Sequence, residues 1–162
     1  MTRWLGFGAG LLAGGLTFLG LRGVHPVFNT GESLMQAVYV CRFRGSQEVS
    51  RGQVIEYAPP ARVVTQVQRV APTARLDVPW LKRAAAVAGD KVCWTQDALS
   101  INDRFAGLLP LLEQYPLTRI TGCVHLQPGE ILPLGETAQS FDGRYSGVLQ
   151  VQEISQLCAP LF

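Results

Sequence analysis

General bases are scarce in this sequence, and that narrows the chemistry open to it. Its 162 residues include two histidines, His25 and His125, and two lysines, Lys82 and Lys91, whereas serines are numerous and four cysteines, Cys41, Cys93, Cys123 and Cys158, add further nucleophiles. A Ser-His-Asp arrangement finds little support. His25 lies beside an apolar N-terminal run, and His125 sits between Val124 and Leu126 in a β-like run, so both read as ordinary surface or core residues. The cysteines form no C-x-x-C pair, which leaves zinc and thioredoxin-like chemistry without their usual spacing, and no metal or other cofactor is expected. A serine served by a lysine is the alternative, and it makes a severe demand. At an unperturbed pKa near 10.4, only about one lysine in a thousand is neutral at pH 7.4, so burial must lower that value by roughly two units before the amine is a useful base. Leu81 and the run Ala84-Ala85-Ala86-Val87 give Lys82 such surroundings, while Lys91 follows Asp90 in an expected turn and invites an exposed, ion-paired reading.

Three segments, in order, carry more information than any one residue. They are Asn29-Thr30-Gly31-Glu32-Ser33-Leu34-Met35-Gln36-Ala37-Val38-Tyr39, then Leu81-Lys82-Arg83 ending at Gly89-Asp90, then Ser140-Phe141-Asp142-Gly143-Arg144-Tyr145-Ser146-Gly147. Together they resemble the signal peptidase family, and more closely its branch typified by TraF, the conjugative-transfer peptidase that matures pilin subunits. Arg51-Gly52-Gln53-Val54-Ile55 is similar to the strand that follows the nucleophile there, so the likeness extends to about Gly147. The resemblance implies that Ser33 attacks the scissile carbonyl and that Lys82 takes its proton. It implies that Ser140 orients the lysine and that Asp142 and Arg144 support the site. An Asp142–Arg144 pair set slightly apart from the dyad is expected, because a carboxylate against Lys82 would favour the charged amine. The chain departs from the family at Met35 and Ala37, where TraF-like peptidases tend to have proline and glycine. At Gly31 signal peptidases often carry a hydroxyl, so the oxyanion hole would rest on the Ser33 backbone N–H and the Thr30 hydroxyl.

These residues need a scaffold, and the pattern of the chain is mainly β. Short β-rich runs at Val54–Tyr57, 76–87, 91–95, 99–101, 123–126, Glu130–Leu134 and 145–152 alternate with Gly, Pro and Asp punctuation. Asn102 and Asp103 suit a tight reversal, residues 108–115 a turn or two of helix, and 58–73 a proline-containing excursion. The expected fold is antiparallel sheets of the signal-peptidase type, preceded by one transmembrane helix. Residues 4–21 carry no charge and are bracketed by Arg3 and Arg22, with no small-x-small cleavage site just beyond. The expected organisation is therefore a retained anchor over 1–23 and one extracytoplasmic peptidase domain over 24–162. Gly6, Gly10 and Gly14 fall on one helix face and would allow the membrane helix to self-associate.

The even cysteine count fits disulfides in an oxidising compartment, with Cys93–Cys123 the preferred pair. Arg42 and Arg44 pull the other way under the positive-inside rule. A net charge of +2, with arginines scattered, gives no basic stripe for nucleic acid. The expected partners are the lipid bilayer and a precursor protein, either a secretory signal peptide or a pilin-like subunit, at the extracytoplasmic face of the cytoplasmic membrane. About a dozen residues separate the apolar run from Ser33, which holds the site near the membrane surface. The competing expectation is a noncatalytic assembly protein of a conjugation or secretion apparatus that retains the fold.

Overall fold

The computed structural model describes residues 23–161 apart from 30, 32, 74 and 75. Two antiparallel sheets dominate it, as the runs of β-favouring residues require. The larger has seven strands: β1 (Val24–Phe28), β2 (Val38–Phe43), β3 (Val54–Tyr57), β4 (Trp80–Ala86), β9 (Glu130–Leu134), β10 (Leu149–Gln150) and β11 (Ile154–Pro160). They lie in the order β1-β2-β11-β3-β4-β9-β10. The smaller sheet contains β5 (Lys91–Trp94), β6 (Ala98–Ile101), β7 (Arg104–Leu108) and β8 (Gly122–His125), in the order β7-β6-β5-β8. Three short helices, α1 (Val64–Val70), α2 (Leu111–Gln114) and α3 (Gly143–Ser146), join them.

Local sequence explains several of these elements. Asn102 and Asp103 both have positive φ, 51° and 62°, and link Ile101 directly to Arg104. That is the backbone of a two-residue hairpin turn whose twist matches the strands it joins, and asparagine and aspartate tolerate it well. The run 76–87 becomes a strand only from Trp80 onward. The expected strand over 145–152 is corrected more deeply. Asp142 caps a helical turn by accepting the Arg144 N–H, Gly147 leaves that turn at φ 74°, and a two-residue strand and a 3₁₀ turn follow. Helix α1 lies inside the excursion 58–73, and α2 inside the expected helical stretch 108–115.

The core spans both sheets. Ala86, Leu132 and Leu134 of the large sheet pack in one cluster with Val92, Trp94 and Leu99 of the small one, and with Leu111 and Tyr145 of α2 and α3. The Tyr145 hydroxyl accepts the Leu111 N–H at 3.2 Å, tying α3 to α2. Two disulfides close facing strand positions: Cys93–Cys123 between β5 and β8, as the sequence suggested, and Cys41–Cys158 between β2 and β11. Among the described residues no helix is long and apolar enough to cross a membrane. The anchor expected over 1–23 falls almost wholly on residues 1–22, outside the described residues.

Candidate active site

The loop 29–37 between β1 and β2 presents Ser33, and its own polar groups hold it in shape. The Asn29 N–H donates to the Ala37 carbonyl at 2.8 Å and closes the loop at its base. The Asn29 carboxamide nitrogen reaches across the interior to the carbonyls of Leu34 and Gln36, at 2.9 and 3.0 Å. Beneath the loop, Tyr39 is fully buried and donates its hydroxyl to the Gln36 side chain at 3.1 Å. Strand β4 supplies the neighbour. Lys82 faces inward from its middle, and its Nζ lies 2.5 Å from Ser33 Oγ and 3.0 Å from Ser140 Oγ. The two serine oxygens are 3.3 Å apart, so the three polar atoms form a closed triangle.

Lys82 is 4% exposed, and its burial is the dominant influence on its charge. Desolvation lowers its pKa from 10.5 to about 8 against the pull of Asp142, with Arg144 assisting. The Trp80 ring, 5.8 Å from Nζ, attracts the ammonium form and so sides with Asp142. Trp80 in turn meets Phe141 edge-on at 6.2 Å, which joins the base-bearing strand to the segment carrying Ser140 and Asp142.

Asp142 and Arg144 form the expected pair, Oδ2 to Nη1 at 3.1 Å, and both are buried. Among the described residues no hydrogen bond joins Asp142 to Lys82. The carboxylate accepts instead from the backbone N–H groups of Gly135, at 2.7 Å, and Arg144, at 3.0 Å. Burial pushes the Asp142 carboxyl upward, while the Arg144 guanidinium and those N–H donors draw it back. Arg144 also donates to the carbonyls of Thr137 and Gly135, at 2.9 and 3.1 Å. Among the described residues its Nε has no hydrogen-bond partner, and a Cβ built on Gly107 would lie 3.1 Å from it, so β7 backs the pair from the second sheet.

The remaining sequence candidates separate from this cluster. Lys91 pairs with Asp103 at 2.8 Å on the small sheet, and its neighbour Asp90 binds Arg51 and Asn102 instead. His25 and His125 are exposed on β1 and β8. Among the described residues the Ser33 N–H makes no hydrogen bond. Thr30, the second expected oxyanion donor, lies outside the described residues. Metal-type ligands gather at Cys41, Glu56 and Cys158, but the disulfide consumes both sulfurs.

Two site residues escaped the sequence reading. Gly135 packs its bare Cα against Ser140 and the Ser33 carbonyl, and Glu136 bonds to the nucleophile loop. The only sequence signal for either was a Gly-Glu pair shortly before the Ser-Phe-Asp-Gly-Arg run.

A family model described as "Signal peptidase, peptidase S26" matches residues 22–158. Among solved structures, a signal peptidase I from Enterococcus faecalis V583 is similar at 16% identity, with a TM-score of 0.37, over 67% of this chain and 94% of that one. No curated protein matches the chain. On the family match, which covers most of its length, the chain belongs to the signal peptidase family, peptidase S26, a family of serine peptidases.

Proposed function

We propose that this protein is a membrane-tethered endopeptidase in which Ser33 is the nucleophile and Lys82 the general base. The observation that carries the reading is a lysine that is 4% exposed with its amine 2.5 Å from a serine hydroxyl. In the neutral form its lone pair takes the proton of Ser33 as Oγ attacks the scissile carbonyl. The resulting ammonium protonates the departing amine, and the regenerated amine then activates water against the acyl-enzyme. Ser140 fixes the direction of the lone pair without adding charge. The Ser33 N–H serves the developing oxyanion, with Thr30 as the second donor.

The substrate in this reading is a membrane-associated precursor with small residues flanking the scissile bond, a signal peptide or a pilin-like subunit of the kind TraF-like peptidases mature. Attack by a substrate amine in place of water would cyclise the product. The uncharged run 4–21 supplies the tether, and the two disulfides favour an extracytoplasmic domain.

The test compares wild-type protein with Ser33→Ala and Lys82→Ala on a panel of precursors, read by mass spectrometry of the products. Each substitution is expected to reduce cleavage by roughly a thousandfold or more, since nucleophile and base act as one unit. Equal cleavage by all three proteins would remove the dyad, and no cleavage by any of them would favour the noncatalytic assembly role.

A further inference from the structure

Glu136 touches the nucleophile loop twice. Its backbone N–H donates to the Ser33 carbonyl at 2.6 Å, and its carboxylate Oε2 accepts the Met35 N–H at 2.7 Å. One residue therefore grips the chain on both sides of Leu34, fixing the peptide groups that set where Ser33 points. The other carboxylate oxygen, Oε1, is held by Arg83 through Nε at 2.7 Å and Nη2 at 2.6 Å. Arg83 follows Lys82 directly in β4, and consecutive strand residues project to opposite faces. The strand thus reaches Ser33 by two routes: Lys82 contacts the hydroxyl, and Arg83 holds the residue that holds the backbone. Arg83 is itself braced by the Gly52 carbonyl at 3.3 Å.

We propose that Glu136, held in place by Arg83, is a positioning residue that sets the attack geometry of Ser33 relative to Lys82. The assignment rests on Ser33 being the nucleophile. Glu136 does not reach the reacting atoms. Its hold on the Met35 N–H engages that donor within the protein. The loop carries Met35 and Ala37 where TraF-like peptidases tend to have proline and glycine, and the ionic clamp from outside adds to the restraint that Asn29 supplies from within.

Charge makes the clamp strong. Although burial works upward on the Glu136 carboxyl, the Met35 N–H and the Arg83 guanidinium hold it below the usual carboxylate range, so it is an anion throughout the neutral region. Among the described residues the Glu136 charge also acts on the buried Tyr39 phenol, which burial and that charge both push upward and keep neutral.

The test uses the full chain and two readouts. The sequence has two methionines, Met1 and Met35, so labelling with [15N]methionine gives very few backbone amide signals, and comparison with Met35→Leu assigns that of Met35. The Met35 signal is expected to shift as pH falls through the Glu136 titration and to lose its exchange protection in Glu136→Ala. An unchanged signal in Glu136→Ala overturns the proposal whether or not the protein is active.

The second readout is kinetic, with an internally quenched peptide carrying alanines on both sides of the scissile bond. Glu136→Ala is expected to lower kcat by about 10- to 100-fold at little change in KM. Glu136→Gln, which can still accept the Met35 N–H, should recover much of the loss. The double variant with Arg83→Met should be no slower than Glu136→Ala alone, because Arg83 acts through Glu136. Additive losses, or a normal kcat in Glu136→Ala, overturn the assignment. Cleavage surviving Ser33→Ala would instead overturn the functional reading on which it rests.

Discussion

Replacing Lys82 with methionine is expected to abolish cleavage and, in the same protein, to raise its stability at neutral pH. The two effects share one cause. Lys82 is almost completely buried, and its folded-state pKa lies near 8 against 10.5 in the unfolded chain. Below pH 8 both states carry the proton, so the folded state bears the full cost of a buried ammonium, of order 3 kcal/mol from that difference. Between pH 8 and 10.5 the folded lysine is already neutral, stability rises with pH, and above 10.5 the penalty has gone. Methionine has similar length and no charge, while Ser33 and Ser140, whose oxygens are 3.3 Å apart, can bond to each other. Thermal unfolding of the two proteins should show Lys82→Met melting higher at pH 7, with the gap closing by about pH 10.5. A lower melting temperature at pH 7 would mean that the lysine contributes more through its hydrogen bonds than its burial costs.

Gly135→Ala is expected to cause a loss of activity far larger than one methyl group suggests. A Cβ at this position would lie 2.3 Å from Ser140 Oγ, 2.6 Å from Ser140 Cβ and 3.0 Å from the Ser33 carbonyl oxygen. The backbone cannot slide away easily. The Gly135 N–H is bound by Asp142 and its carbonyl by Arg144, both buried. Ser140 must therefore leave Lys82, or the nucleophile loop must move, and either opens the triangle of polar atoms. A displacement near 1 Å can cost about a hundredfold in rate, whereas overpacking of this kind costs about 1–3 kcal/mol in stability. The expected outcome is a folded protein whose kcat is at least about 100-fold reduced. Wild-type kcat in Gly135→Ala would show that Ser140 need not stay where it is.

How legible the site was depended on whether a residue works through its side-chain type or through its backbone. Ser33, Lys82, Ser140, Asp142 and Arg144 sit in recognisable segments, and the structure brings all five together although Ser33 and Lys82 are 49 residues apart. The preference for Lys82 over Lys91 also had a local signal, since apolar neighbours in β4 bury one while the hairpin at Asn102-Asp103 supplies a carboxylate to the other. Glu136 had no such signal. Its role depends on meeting the Met35 N–H from 101 residues away, and an amide is present at every non-proline position. Gly135 was hidden for the same reason, being defined by what packs against it.

The fold shows the same division. Val54–Tyr57 and Glu130–Leu134 were readable because short, largely apolar β-favouring runs bounded by turn residues make buried strands. β1 is an exposed edge strand containing Pro26, and β7 is largely exposed, so neither carries the alternation that marks a half-buried strand. β11 mixes Ser155 and Gln156 among apolar residues and derives its regularity from pairing between β2 and β3. Over 145–152 the residue types favour a strand, but the cap from Asp142 and the positive φ of Gly147 impose a helical turn.

The central claim is that Lys82, in contact with Ser33, gives up its proton near pH 8 and so supplies a substantial neutral fraction near physiological pH, and it can be observed directly. The chain has two lysines, so side-chain labelling with [13C]lysine gives two Cε signals, and Lys91→Arg leaves only that of Lys82. The Lys82 signal should titrate with a midpoint at about 8, and cleavage should rise along the same curve. A lysine that keeps its proton beyond pH 10, or a cleavage rate that ignores its titration, would contradict the account.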